Sequence, residues 1–116
     1  MDQQFAAGDD LIFQLESGYG LLRVLAIEPE RQVWHLMAYE ELFPDMESAE
    51  RALAEPDNLH VRKSHMALTN RAFERTAAAR LGNRRVTDGE LVAYQNWIEQ
   101  GGEVSDRSAL LMLGMR

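Results

Sequence analysis

The residues able to do chemistry in this chain are few, and their spacing excludes most of the chemistry. Three histidines, His35, His60 and His65, raise the question of a metal. None forms an H-x-x-x-H pair and no H-E-x-x-H occurs, so a helical metal site is not expected. His35 lies between Trp34 and Leu36, where an alternating strand would hold it as a packed residue. Asp9-Asp10 and Glu40-Glu41 are adjacent carboxylates. Acid/base catalysis of the glycosidase kind needs two carboxyls at a set separation across a cleft, so these pairs read as strand-end charges. An aspartate at 9 or 10 also suits a turn fixed through its own backbone. Ser17, Ser48, Ser64, Ser105 and Ser108 include no G-x-S-x-G elbow. Gly18-Tyr19-Gly20 is not followed by a helix or by G-K-[ST], which a phosphate-cradling loop requires. No cysteine is present, which removes thiolate ligands, disulfides and thiol nucleophiles. The expectation is a non-enzymatic protein with no metal or cofactor.

Binding chemistry is better represented. Tyr19, Trp34, Tyr39 and Phe43 form an aromatic set of the kind that buries large area while keeping a polar handle. Trp34, in mid-strand, reads first as core; Tyr19, in a turn, reads as a surface contact, and the four together are the candidate partner-binding residues. Arg84-Arg85 beside a helix start is the candidate anion site. Between Arg62 and Arg85 lie seven basic residues and one acid, Glu74. That stretch either evens the field of an acidic sheet or meets an acidic partner or phosphate.

The elements that must position these residues begin with Gly8 to Tyr39. Leu11, Phe13 and Leu15 alternate with Ile12, Gln14 and Glu16, a period of two that marks a strand. Ser17-Gly18 suits a two-residue hairpin turn. Gly20 to Glu28 is apolar on both faces apart from Arg23, as in a central strand, with Leu21, Leu25 and Ile27 assigned to one face and Leu22, Val24 and Ala26 to the other. Pro29 punctuates the next turn, and Gln32 to Tyr39 is a third strand. This meander, over about residues 10–39, predicts an α+β protein: a curled antiparallel sheet or an SH3-like partial barrel carrying two or three helices. Asp45 is an N-cap for a helix over 46–54, and Pro56 stops it. His65 to Leu68 suits a fourth strand. Thr69 or Asn70 would cap a helix over 71–81, with Phe73, Ala77 and Leu81 on one face and Gly82 as its stop. Thr87 and Glu90 form a capping box for a helix over 88–100. Ser108 to Gly114 is a short apolar run that fits helix or strand; a closing strand over about 108–113 is the expectation.

A chain of 116 residues fits one domain, 1–116. At 46% hydrophobic and 27% charged it has the balance of a folded globular protein. No apolar run approaches the roughly 20 residues that span a bilayer, and the first ten residues lack a basic n-region and an apolar segment, so no membrane contact and a cytoplasmic location are expected. The net charge of −7 argues against nucleic acid as the principal partner.

At Gly8-Asp9 before Leu11–Leu15, then Gly18-Tyr19-Gly20 and Arg23-Val24-Leu25, the chain resembles small bacterial immunity proteins of polymorphic toxin systems. The resemblance covers residues 8–28 and extends to the helix from Glu90-Leu91 to Trp97; Asp10 and Phe43-Pro44 depart from it. It implies a protein that neutralises a toxin by binding it, without catalysis, and an acidic surface would speed association with a basic toxin. Three functions are compatible with these features, in order. The first is protein binding, including self-association as a homodimer. The second is a small-ligand or enzyme pocket lined by Trp34, His35, Tyr39 and an arginine from 71–85. The third is nucleic-acid contact through Arg62–Arg85.

Overall fold

A computed structural model describes residues 5–115. Five strands, β1 (Asp9–Leu15), β2 (Gly18–Glu28), β3 (Val33–Tyr39), β4 (Val61–Thr69) and β5 (Ala78–Asn83), form one antiparallel sheet in the order β4-β3-β2-β1-β5. Among the described residues four short helices accompany it: α1 (Met46–Leu53), α2 (Asn70–Glu74), α3 (Val92–Glu99) and α4 (Ala109–Leu113). The α+β class and antiparallel meander are as the sequence predicts. The sheet does not close into a barrel, because β4 and β5 remain its two edges. No helix among the described residues is long and apolar enough to cross a membrane.

The double-sided apolar β2 requires cover on both faces, and receives it. One face collects Leu11, Phe13, Leu22, Val24, Trp34, Leu36, Met66 and Leu68 under Phe73 of α2 and Leu113 of α4. Trp34 stacks on Phe73, centroids 4.3 Å apart, and its indole N–H donates to Asn70 Oδ1 at 3.0 Å. The opposite face collects Ile12, Leu21, Leu25, Met37 and Tyr39 under Ala49 and Leu53 of α1 and Leu91 before α3.

Local signals explain where elements start. Asp45 accepts from Ser48 N–H at 2.8 Å and caps α1; Thr69 accepts from Ala72 N–H at 3.1 Å and caps α2. Thr87 N–H donates to Glu90 Oε1 at 2.9 Å while Glu90 N–H donates to Thr87 Oγ1 at 3.1 Å, completing the capping box. The first hairpin's two-residue turn is Glu16-Ser17, one place earlier than expected, since Leu15 pairs with Gly18. Gly18 there has φ +143°, and a Cβ on it would lie 2.5 Å from the Phe43 carbonyl oxygen.

Three predicted elements are corrected. The helix expected over 71–81 ends at Glu74, and residues 78–83 are instead β5, paired with β1 through Phe13↔Ala78 and Ile12↔Ala79. Helix propensity in Ala77-Ala78-Ala79 loses to ladder hydrogen bonds on an otherwise open β1 edge. The helix expected over 88–100 is regular only from Val92 to Glu99, the capping box lying in the preceding turn. The expected closing strand over 108–113 is helix α4, capped by Ser108 Oγ accepting from Leu111 N–H and ended by Gly114 at φ +67°.

An irregularity in β2 decides which side chains share a face. Between Val24 and Ala26 the register to β3 slips by one, so Val24 opposes Leu36 while Ala26 opposes His35. This is a β-bulge, and it reverses the facing of every residue after it. Ile27, expected beside Leu25, packs instead with Trp34 on the other face, and Glu28 arrives on the face of His35.

Candidate functional site

The sequence-predicted residues separate into three places. Trp34 is wholly buried in the core beneath α2 and α4. Tyr39, also buried, donates nothing to a surface; its hydroxyl accepts from Arg84 Nη2 at 3.1 Å. Tyr19 and Phe43 are half-buried and joined by a reciprocal backbone pair of 2.8 Å. They meet at the end of the sheet where β1, α1 and β5 converge. There Tyr19, Met46, Ile12 and Ala77–Ala79 line an apolar groove of about 290 Å³, with Met46 43% exposed. Of the aromatic set, only Tyr19 and Phe43 come together at a surface. The ligand pocket expected from Trp34, His35, Tyr39 and an arginine is not formed, because Trp34 points to the opposite face from the other two.

Arg84 is committed to the protein itself. Its guanidinium forms a two-pronged pair with buried Asp10, at 2.7 and 2.8 Å, which raises its pKa. Arg85 is exposed. Beneath them lies Arg23, wholly buried, which donates to Asp10, to both oxygens of Glu90, and to the carbonyls of Gly8, Arg84 and Arg85 at 2.8, 3.0 and 3.1 Å. Glu90 loses hydration here, which pushes its pKa up, but hydrogen bonds from Arg23 and Thr87 outweigh that and hold it low. Every Arg23 N–H that the guanidinium fork offers thus has a near acceptor, and the network ties β1, β2 and the 84–90 loop into one unit. Four more arginines of the basic stretch are likewise partnered within the protein: Arg62 donates to the Leu113 carbonyl, Arg71 and Arg75 to Asp106, and Arg80 pairs weakly with Asp9.

The third place brings together residues that sequence reasoning left apart. His35 Nε2 is 2.6 Å from Glu28 Oε2, and His35 Nδ1 is 2.9 Å from His65 Nε2. The two imidazoles stack at 5.2 Å, and α3 lays Tyr94 and Trp97 over them, 4.3 and 4.7 Å from the His35 ring. Burial lowers the His35 pKa despite the Glu28 hydrogen bond, which works the other way. Burial, then the neighbouring His35 and Lys63, lower that of His65 to about 4. Both rings are therefore neutral near pH 7. A carboxylate only accepts, so His35 carries its proton on Nε2 and presents a lone pair at Nδ1. His65 must then donate from Nε2, which leaves its own Nδ1 as an acceptor. His60 stands elsewhere, exposed and bonded to Glu41 at 2.6 Å. No three His, Cys, Asp or Glu among the described residues are placed to hold a metal ion. The one signal for this cluster was the pairing register: His35 opposes Ala67, which puts His65 on the same face two residues away.

Comparison of the chain with protein-family models, with curated proteins and with solved structures finds no match.

Proposed function

We propose that this protein is a non-enzymatic protein-binding protein, of the type that neutralises a toxin by occupying it, and that its partner docks at the β5 edge. The observation that carries this reading is the position of β5. It ends the sheet order, so among the described residues one of its hydrogen-bonding edges has no strand beside it, and that edge adjoins the apolar groove at Tyr19 and Met46, Tyr19 being bridged to Phe43. An extended segment could add a sixth strand there, its backbone supplying affinity and its apolar side chains filling the groove. The resemblance of residues 8–28 to immunity proteins supports the role, and the net charge of −7 suits a basic partner by accelerating encounter.

The test places a photo-crosslinking residue at Ala79 and identifies what it joins in cells of the source organism. One protein, lost from the crosslinked product in Tyr19→Ala and Met46→Asp variants, is the expected result. A crosslink to a second copy of this chain would replace the toxin partner with a homodimer. Crosslinking that is absent, or unaffected by either substitution, overturns the reading.

A further inference from the structure

We propose that the groove beside His65 is a binding site for a free apolar α-amino acid in its zwitterionic form. This groove, of about 540 Å³, is lined by His65, Trp97, Val104, Met112, Arg107 and Glu103 and lies away from the β5 edge. It falls within the usual size range of small-ligand sites, roughly 300–1,000 Å³, and sets an apolar wall of Trp97, Val104 and Met112 beside a polar one of His65, Glu103, Ser105 and Arg107.

Three features select the ligand. The chain Glu28–His35–His65 fixes the tautomer of His65, so the Nδ1 acceptor is set in place by two hydrogen bonds behind it rather than by chance. That Nδ1 makes no hydrogen bond among the described residues, and it can take one from an ammonium group. Arg107 is exposed and has no ion pair among the described residues, so its guanidinium is available to a carboxylate. Glu103, also exposed at the rim, disfavours a simple anion and favours a ligand that carries a positive charge as well. An α-amino acid places its ammonium and carboxylate one carbon apart and satisfies all three groups. Its side chain then lies against Trp97, Val104 and Met112.

Trp97 is held ready for this contact. Its indole N–H donates to the Glu103 carbonyl at 2.6 Å, and its ring packs on both imidazoles. The wall of the site therefore needs little rearrangement on binding, which limits the ordering cost. The site stands independently of partner docking at β5, and either can fail alone.

The experiment follows the imidazole nitrogens of His65 and the indole N–H of Trp97 by NMR while the twenty free amino acids are titrated to about 20 mM, a range that captures millimolar affinity. Leucine, methionine or phenylalanine should shift both signals. Isoamylamine and 4-methylpentanoate, which each keep one of leucine's charges, should bind about 10-fold more weakly or less, as should leucine to Arg107→Gln, since each loses a charged hydrogen bond. The same spectra report whether that exposed-site variant keeps its fold. No shift with any amino acid overturns the proposal, and so does equal binding of leucine and its singly charged analogues.

Discussion

The neutral, half-buried His65 packed on His35 makes stability depend on pH in a window that can be worked out. In the unfolded chain the imidazole titrates near 6.5, whereas in the fold its pKa is about 4. Between those values the unfolded state binds more protons than the native one, so stability rises with pH across the window. The contribution is complete above about pH 6.5 and is lost progressively as pH falls to 4. At about 1.36 kcal/mol per pKa unit the full gap corresponds to a ceiling of about 3.4 kcal/mol. His65 is only half enclosed, and solvent screening brings the expected loss to about 2 kcal/mol. Carboxylates elsewhere titrate in the same range, so the quantity to measure is a difference. Urea unfolding of the wild type and of His65→Gln, whose amide can still donate to His35 Nδ1, is compared at intervals from pH 7.5 to 4. The stability difference between the two proteins should move by about 2 kcal/mol in favour of the variant as pH falls. A difference that stays constant across the window would refute the reasoning, because it would mean that His65 titrates alike in folded and unfolded chains.

Further tests address the parts that hold this arrangement. Arg23→Met leaves the buried Gly8 carbonyl, two half-buried carbonyls and part of Glu90 without their donor, and should cost about 3–5 kcal/mol in urea unfolding, in line with breaking other buried ion pairs; a loss below about 1 kcal/mol would show that the network is incidental. Gly20→Ala would set a methyl 2.5 Å from the buried Phe13 ring and should lose about 1–3 kcal/mol by the same measurement. Phe73→Ala removes the ring stacked on Trp34 and should cost about 3–5 kcal/mol, with a red-shifted Trp34 fluorescence as water reaches the indole. Asn70→Ala leaves the wholly buried Trp34 without its acceptor and should cost about 1–3 kcal/mol; a neutral result would mean that water replaces the amide.

Much of the scaffold was legible in residue order because its causes are local. Alternation over Leu11–Leu15 and Val33–Tyr39, the capping residues Asp45, Thr69 and Thr87, and the stop at Gly101-Gly102 all act within a few residues of where they are read. What stayed hidden depends on partners distant in sequence. Ala78–Asn83 becomes a strand only because β1 offers an unpaired edge some 65–75 residues earlier. Arg23 looked like an interruption in an apolar strand, yet it meets Asp10, Glu90 and three carbonyls supplied by separate segments. Asp10, a departure from the immunity-protein pattern, is the carboxylate that both Arg23 and Arg84 share. The Glu28–His35–His65 cluster required the register of β3 on β4 together with the bulge in β2, and neither leaves a mark on composition or period.

The bulge between Val24 and Ala26 also bears on how this chain can change length. Ahead of it, the strand delivers Arg23 to one polar assembly; behind it, the same face receives Glu28 for another. Losing Leu25 would cancel the slip and still leave Ala26, Ile27 and Glu28 opposite His35, Trp34 and Val33, each on its present face. Substitutions at Leu25 that preserve an apolar group should be absorbed by repacking. A single residue inserted after Ala26, although it removes no side chain, would turn Ile27 toward the histidines and carry Glu28 round to the Trp34 side. This stretch can shorten by one residue at 25 far more safely than it can lengthen by one beyond it.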